Sequence, residues 1–202
     1  ITDMTIHEKY SKIVGIDEKQ LYSYLIYHFA NKFSYNSLKK FTAINSVNTI
    51  KKFISYLEET YFAKTIHKFD YSLKKQIVND KKFYVSDNGF IGILSKKITK
   101  DNGWLLENLV FNSLHKDYEV FYYAGEKECD FLAVKNKEVK QAIQVCHELT
   151  EENKDRELSG LKEAMKKFKL KEGLLLTNSQ EEEIKVNGNK ISVKTVWKWL
   201  LQ

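Results

Sequence analysis

Apolar residues recur at helical spacing through the first third of the chain, and strand-like alternation dominates beyond residue 80. Residues 18–31 place Leu21, Leu25 and Phe29 on one helical face. Ser34 is positioned to cap a short helix carrying Leu38 and Phe41. Ser46 is positioned to cap a third helix, with Ile50, Phe53, Ile54 and Leu57 facing inward. Two strand-like runs follow, 62–69 and 84–85. The polar, turn-rich stretch 71–80 reads as a linker between a first domain, residues 1–75, and a second, residues 81–202. In the second domain a strand over 83–86 leads into an Asp87-Asn88-Gly89 turn. A helix over 103–115 sets Leu106, Leu109, Val110 and Leu114 in its core stripe. Strands are predicted over 119–123, 131–134 and 139–146. An amphipathic helix over 152–168 uses Leu158, Leu161, Met165 and Phe168. Residues 173–177 form an apolar run suited to a buried strand. Asn187-Gly188 turns a hairpin between 183–186 and 190–193, and a last segment over 195–201 packs Trp197 and Leu200. Helices covering a central mixed sheet make this second part α/β.

Helix, turn, helix and then a β wing is the winged-helix pattern, a helix-turn-helix variant. The helix from Val47 is then the recognition helix, exposing Asn48, Lys51, Lys52 and Ser55. The same residues also suit the solvated side of any amphipathic helix, and winged helices serve as protein-docking modules too. Charge bears on this choice. Residues 1–80 hold 12 Lys against 8 Asp and Glu, within a net charge of +6, so a polyanion partner is permitted. Arg156 is the only arginine, so DNA contact is expected through phosphates and without strong sequence preference. No run is long and apolar enough to span a bilayer, and no signal peptide is present, which points to a cytoplasmic protein without membrane contact. Cys129 and Cys146 are too few for a disulfide framework and fit buried free thiols. The chain starts at Ile1, as a fragment of a longer product would.

The candidate chemistry lies in the second part. Glu107 stands in an apolar helical run, Asp130 ends a Glu-Lys-Glu-Cys-Asp turn before Phe131, and Gln144 and Cys146 alternate with apolar residues. A helix carboxylate, an aspartate at a strand start, and an acid or amide two residues before a lysine form the active-site plan of PD-(D/E)XK nucleases, the restriction-endonuclease-like fold. Residues two apart on a strand share a face, so a lysine at the second position points into the site. Such a site supplies hard oxygen ligands to Mg²⁺, here from Asp130 and Gln144, with Glu107 beside them. Two departures make the plan degenerate. Gln144 offers a neutral oxygen, and Cys146 supplies no ammonium, a loss expected to cost on the order of 10²–10³ in rate. Lys127, Lys135 and Lys162 are the candidate replacements. Asp130 as a plain turn carboxylate and Glu107 as half of a buried polar pair remain the structural alternatives.

Further stretches carry a wider resemblance: Phe53–Tyr61, Phe69–Gln76, Tyr84–Gly89, Leu106–Phe111, Glu128–Phe131, Ile143–Val145, Asp155–Glu157 and Trp197–Leu201. Together they resemble the C-terminal half of a prokaryotic AAA+-type ATPase family, in which a P-loop ATPase precedes a winged helix and a nuclease-like domain. The resemblance implies an N-terminal ATPase domain in the same polypeptide; this chain has no G-x-x-x-x-G-K-[ST] of its own. It maps Glu107, Asp130, Gln144 and Cys146 onto the family's site, and Arg156 and Glu157 onto an Arg-Glu pair. Arg156 then either contacts phosphate or pairs with a carboxylate such as Glu107. The expected function is a DNA- or partner-binding region of an ATPase, with a nuclease-like site that lacks catalysis. The rivals are an active Mg²⁺-dependent endonuclease on duplex or branched DNA, and a docking module without DNA contact.

Overall fold

The computed structural model describes residues 25, 29–42, 44, 46–94, 103–186 and 188–202, and elements are numbered within them. The helix expected over 18–31 lies largely outside that set, though Leu25 and Phe29 are buried. The short strand β1 (Lys32–Phe33) leads into α1 (Tyr35–Phe41), whose N-terminus Ser34 closes with a capping box through Ser37. Helix α2 (Val47–Glu59) starts at Ser46, whose hydroxyl accepts from the Thr49 amide. Ile50, Ile54 and Leu57 form its buried stripe, while Phe53 is only partly buried. Phe41, the last residue of α1, is exposed rather than inward.

Strand β2 (Ala63–His67) pairs antiparallel with β3 (Lys81–Val85), and β1 pairs with the other side of β3. The strand expected to open the second domain is thus the middle of a three-stranded sheet with the first. The segment expected as a linker is ordered by its own bonds. It carries the short helix α3 (Leu73–Val78), and the Lys81 ammonium donates to the carbonyls of Ile77 and Asn79. Where a turn was expected after β3, α4 (Asn88–Leu94) begins, with Asp87 accepting from the Gly89 amide.

Helix α5 (Gly103–Leu114) buries Asn108, Val110, Phe111 and Leu114, and leaves Leu109 exposed. The reason is Asn108. Its amide accepts from Val85 N and donates to Val85 O, pairing with the end of β3 as another strand would. That polar anchor rotates the stripe and docks α5 on the three-stranded sheet. Then come β4 (Glu119–Ala124), β5 (Glu128–Lys135), β6 (Glu138–Val145), α6 (Lys154–Phe168), β7 (Glu172–Thr177), β8 (Glu182–Val186), β9 (Asn189–Thr195) and α7 (Val196–Leu200). The second sheet has the order β4-β5-β6-β7-β9-β8, parallel across β6-β7-β9 and antiparallel elsewhere, so the architecture is mixed α/β. Gly188 sits at φ +80° in the β8–β9 hairpin, a conformation glycine adopts freely. Helix α6 covers one sheet face with Leu158, Leu161 and Met165, against Leu132, Ala142 and Leu175. The opposite face joins α5 and the three-stranded sheet in one apolar cluster running from Leu25 to Val196. In α7 it is Val196 that is buried; Trp197 and Leu200 are exposed.

Candidate functional site

Three elements converge on one buried ammonium. Lys82, from the middle strand of the smaller sheet, has a side chain only 3% exposed. Its Nζ lies 3.2 Å from Glu107 Oε1, 2.8 Å from Glu128 Oε1 and 3.2 Å from Asp130 Oδ1. Local structure aims each partner. Glu107 is presented by the turn of α5 that Asn108 locks onto β3. Asp130 lies inside β5, which starts three residues earlier than expected. There the β4–β5 register advances from Phe121↔Leu132 to Tyr123↔Cys129, so β5 spends an extra residue at Asp130–Phe131. Such bulges re-aim side chains.

Every carboxylate has a further donor. Tyr84 Oη donates to Glu107 Oε1 at 2.6 Å, and the Val145 amide donates to Asp130 Oδ2 at 3.0 Å. Lys32 Nζ reaches Glu128 Oε2 at 2.7 Å, so Glu128 bridges two lysines on adjacent strands. Burial works against a charged Lys82, but the carboxylates of Glu107, Asp130 and Glu128 outweigh it and hold its pKa well above the usual lysine value. One cation does not balance three acids. Burial and the charge of Glu107 push Asp130 up to about 7 despite Lys82 and the Val145 amide. Burial would also raise Glu128, but Lys82 and Lys32 hold it below the ordinary carboxylate value.

Gln144 is buried beside this cage. Its Oε1 accepts from the Asp130 amide at 3.2 Å, and its Nε2 donates to Glu157 Oε2 at 3.0 Å. The position therefore calls for an acceptor and a donor, which an amide provides and a carboxylate does not. Glu157 in turn accepts from Arg156, at 3.0 Å from Nε and 2.6 Å from a terminal nitrogen. Arg156 pairs with its neighbour Glu157, not with Glu107, and its side chain is 79% exposed. Cys146 is buried in the apolar cluster under α6 and lies at the wall of the same cavity.

That cavity, of about 820 Å³, brings together all four expected site residues, Glu107, Asp130, Gln144 and Cys146, with Arg156 at its edge. Glu148 joins the acids on its walls, against the cations Lys82, Lys127 and Arg156, so carboxylates outnumber cations. Of the candidate replacement lysines, Lys127 lines the cavity without an ion pair to Asp130. Lys135 sits over the Tyr118 ring and Lys162 lines a separate pocket. The lysine that reaches Asp130 is Lys82. Its signal in the sequence was faint: a lysine leading directly into the apolar run Phe83-Tyr84-Val85.

The donors do not fit a Mg²⁺ ion as they stand. Three carboxylate oxygens face the Lys82 ammonium, and the oxygen of Gln144 is taken by the Asp130 amide. Among the described residues no group of three His, Cys, Asp or Glu side chains is arranged to hold a metal. The expected metal ligands Asp130 and Gln144 are adjacent but serve a lysine and a backbone amide.

Asn48, Lys51, Lys52 and Ser55 are all exposed along α2. Ser55 donates to Glu59, and Lys51 approaches the Tyr35 ring. No helix among the described residues is long and apolar enough to cross a membrane.

Residues 9–101 match a family model described as a domain of unknown function (DUF8612), a stretch that holds Lys82 and ends before α5. An uncharacterized protein of Methanocaldococcus jannaschii is 35% identical over 199 residues, covering 91% of this chain and 44% of that protein. An uncharacterized protein of Haemophilus influenzae is 29% identical over 170 residues, covering 83% of this chain and 40% of that protein. The chain thus spans less than half the length of these curated relatives. No solved structure gives a significant match.

Proposed function

We propose that this chain is the DNA-binding region of a longer ATPase, a winged helix followed by a PD-(D/E)XK-like unit whose nuclease-like site does not cleave. The observation that carries the reading is the Lys82 ammonium, buried among Glu107, Glu128 and Asp130 where a nuclease needs a metal ion. The winged-helix part is supported by α1 and α2 preceding the antiparallel β2–β3 pair. The nuclease-like part is supported by the β4–β5–β6 meander, the α6 crossover to parallel β7, and the meeting of Glu107, Asp130 and Gln144 at one cavity. The ATPase rests on the sequence resemblance and on the greater length of the relatives.

An acid-rich cavity repels phosphate, so DNA belongs on the exposed α2 face with Asn48, Lys51, Lys52 and Ser55. The test is duplex-DNA affinity across a salt series for the wild type and the Lys51→Glu/Lys52→Glu pair. The wild type should weaken steeply with salt, and the pair should bind less tightly with a log–log slope shallower by about 2. Absence of DNA binding at low salt would replace this reading with the docking module. A second reading, an active endonuclease, is favoured by one observation: Lys82 places an ammonium 3.2 Å from Asp130, where Cys146 has none to offer.

A further inference from the structure

We infer that Lys82 is a tethered substitute for a divalent cation, and that this side chain, more than Gln144 or Cys146, keeps metal out of the site. The inference rests on the non-cleaving reading above and names the residue responsible for it.

Its basis is that the carboxylates are held in place by groups other than Lys82. Glu107 is fixed by Tyr84 Oη, Asp130 by the Val145 amide, and Glu128 by Lys32. Removing the Lys82 ammonium therefore leaves three oxygens still converging on one point. Gln144 instead bridges Asp130 N to Glu157, and Cys146 packs in the apolar cluster under α6. Size sets the preference of the vacated cage. The oxygens stand 2.8–3.2 Å from Nζ. A Ca²⁺-sized ion needs them to draw in by roughly 0.5 Å, and Mg²⁺ by about 1 Å. Small side-chain rotations supply the first, so Ca²⁺ and Tb³⁺ should bind ahead of Mg²⁺.

The experiment compares metal-stripped wild type and Lys82→Ala by Tb³⁺ luminescence, sensitised through Tyr84 and Tyr122, with Ca²⁺ and Mg²⁺ as competitors. Tyr84 touches Glu107, and the Tyr122 ring centre is 5.8 Å from Lys82 Nζ, so both are close enough to report on an ion in the cage. Lys82→Ala should bind saturably, at least roughly tenfold tighter than wild type, because ligand charge is no longer neutralised internally. Adding Asp130→Asn should abolish that binding. Lys82→Gln, whose amide still donates to the carboxylates, stands in if the alanine variant does not fold. Mn²⁺ broadening of the Val145 and Cys146 amide NMR signals tests the wild type itself, which should show none. A folded Lys82 variant that binds no tighter than a non-binding wild type overturns the inference and leaves the non-cleaving reading intact. Selective Mn²⁺ broadening in the wild type overturns both.

Discussion

Replacing Lys82 with methionine keeps the length of the side chain and deletes its charge, and the consequence follows from the cage. Lys82 lies within 3.2 Å of three carboxylate oxygens and is 3% exposed, so water cannot take over its role. Removing one partner of a buried ion pair costs about 3–5 kcal/mol, because the remaining charge is left desolvated. Against a typical domain stability of about 5–15 kcal/mol, the variant should still fold but melt early. The loss should also depend on pH. In the wild type, burial and Glu107 raise Asp130 to about 7, above its unfolded value. A carboxyl raised in this way adds stability below its unfolded pKa, and that stability fades as pH rises through the folded value. Without Lys82 only the Val145 amide still opposes the rise of Asp130. The variant should therefore lose stability more steeply than wild type between pH 5 and 8, with the larger deficit at pH 8. Urea unfolding followed by circular dichroism at both pH values, at fixed ionic strength, measures the difference. A deficit below about 1 kcal/mol, or one equal at the two pH values, would refute the cage as the electrostatic centre of the fold.

Two further substitutions probe the supports of the site. A Cβ at Gly160 would stand 1.6 Å from the Glu128 carbonyl oxygen, so Gly160→Ala must lift α6 off β5; thermal unfolding should show a loss of about 3 kcal/mol or more. Gln144→Glu rebuilds the acid of the nuclease plan, yet it removes the donor to Glu157 Oε2 and sets two carboxylates 3.0 Å apart. It should destabilise the fold by about 2 kcal/mol or more and produce no DNA cleavage, whereas cleavage by this variant would show that the amide alone disabled the site.

Much of the framework was legible because it is written locally. Ser34 and Ser46 cap helices, Gly188 lies in the β8–β9 hairpin, and the apolar run of β7 marks an inner strand. Glu107 and Gln144 were visible as polar residues in apolar surroundings and Asp130 as the end of a charged turn, and all three line one cavity. What the sequence hid depends on tertiary pairing. Lys81 and Lys82 fall outside the strand expected over 83–86, but they begin β3, which is flanked by strands on both sides, and both lysines are buried. Leu109 looked like core until Asn108 took the inward position through its bonds to Val85. The bulge at Asp130 leaves no mark in the alternation of apolar residues, because it belongs to the pairing of β4 with β5.

The most direct test of the account is incubation of plasmid and four-way-junction DNA with the protein and Mg²⁺ or Mn²⁺, beside an Asp130→Ala control. The account predicts that the wild type shifts DNA in a gel and leaves it uncut. Cutting that disappears in Asp130→Ala would contradict it, and would make Lys82 the ammonium of a working nuclease.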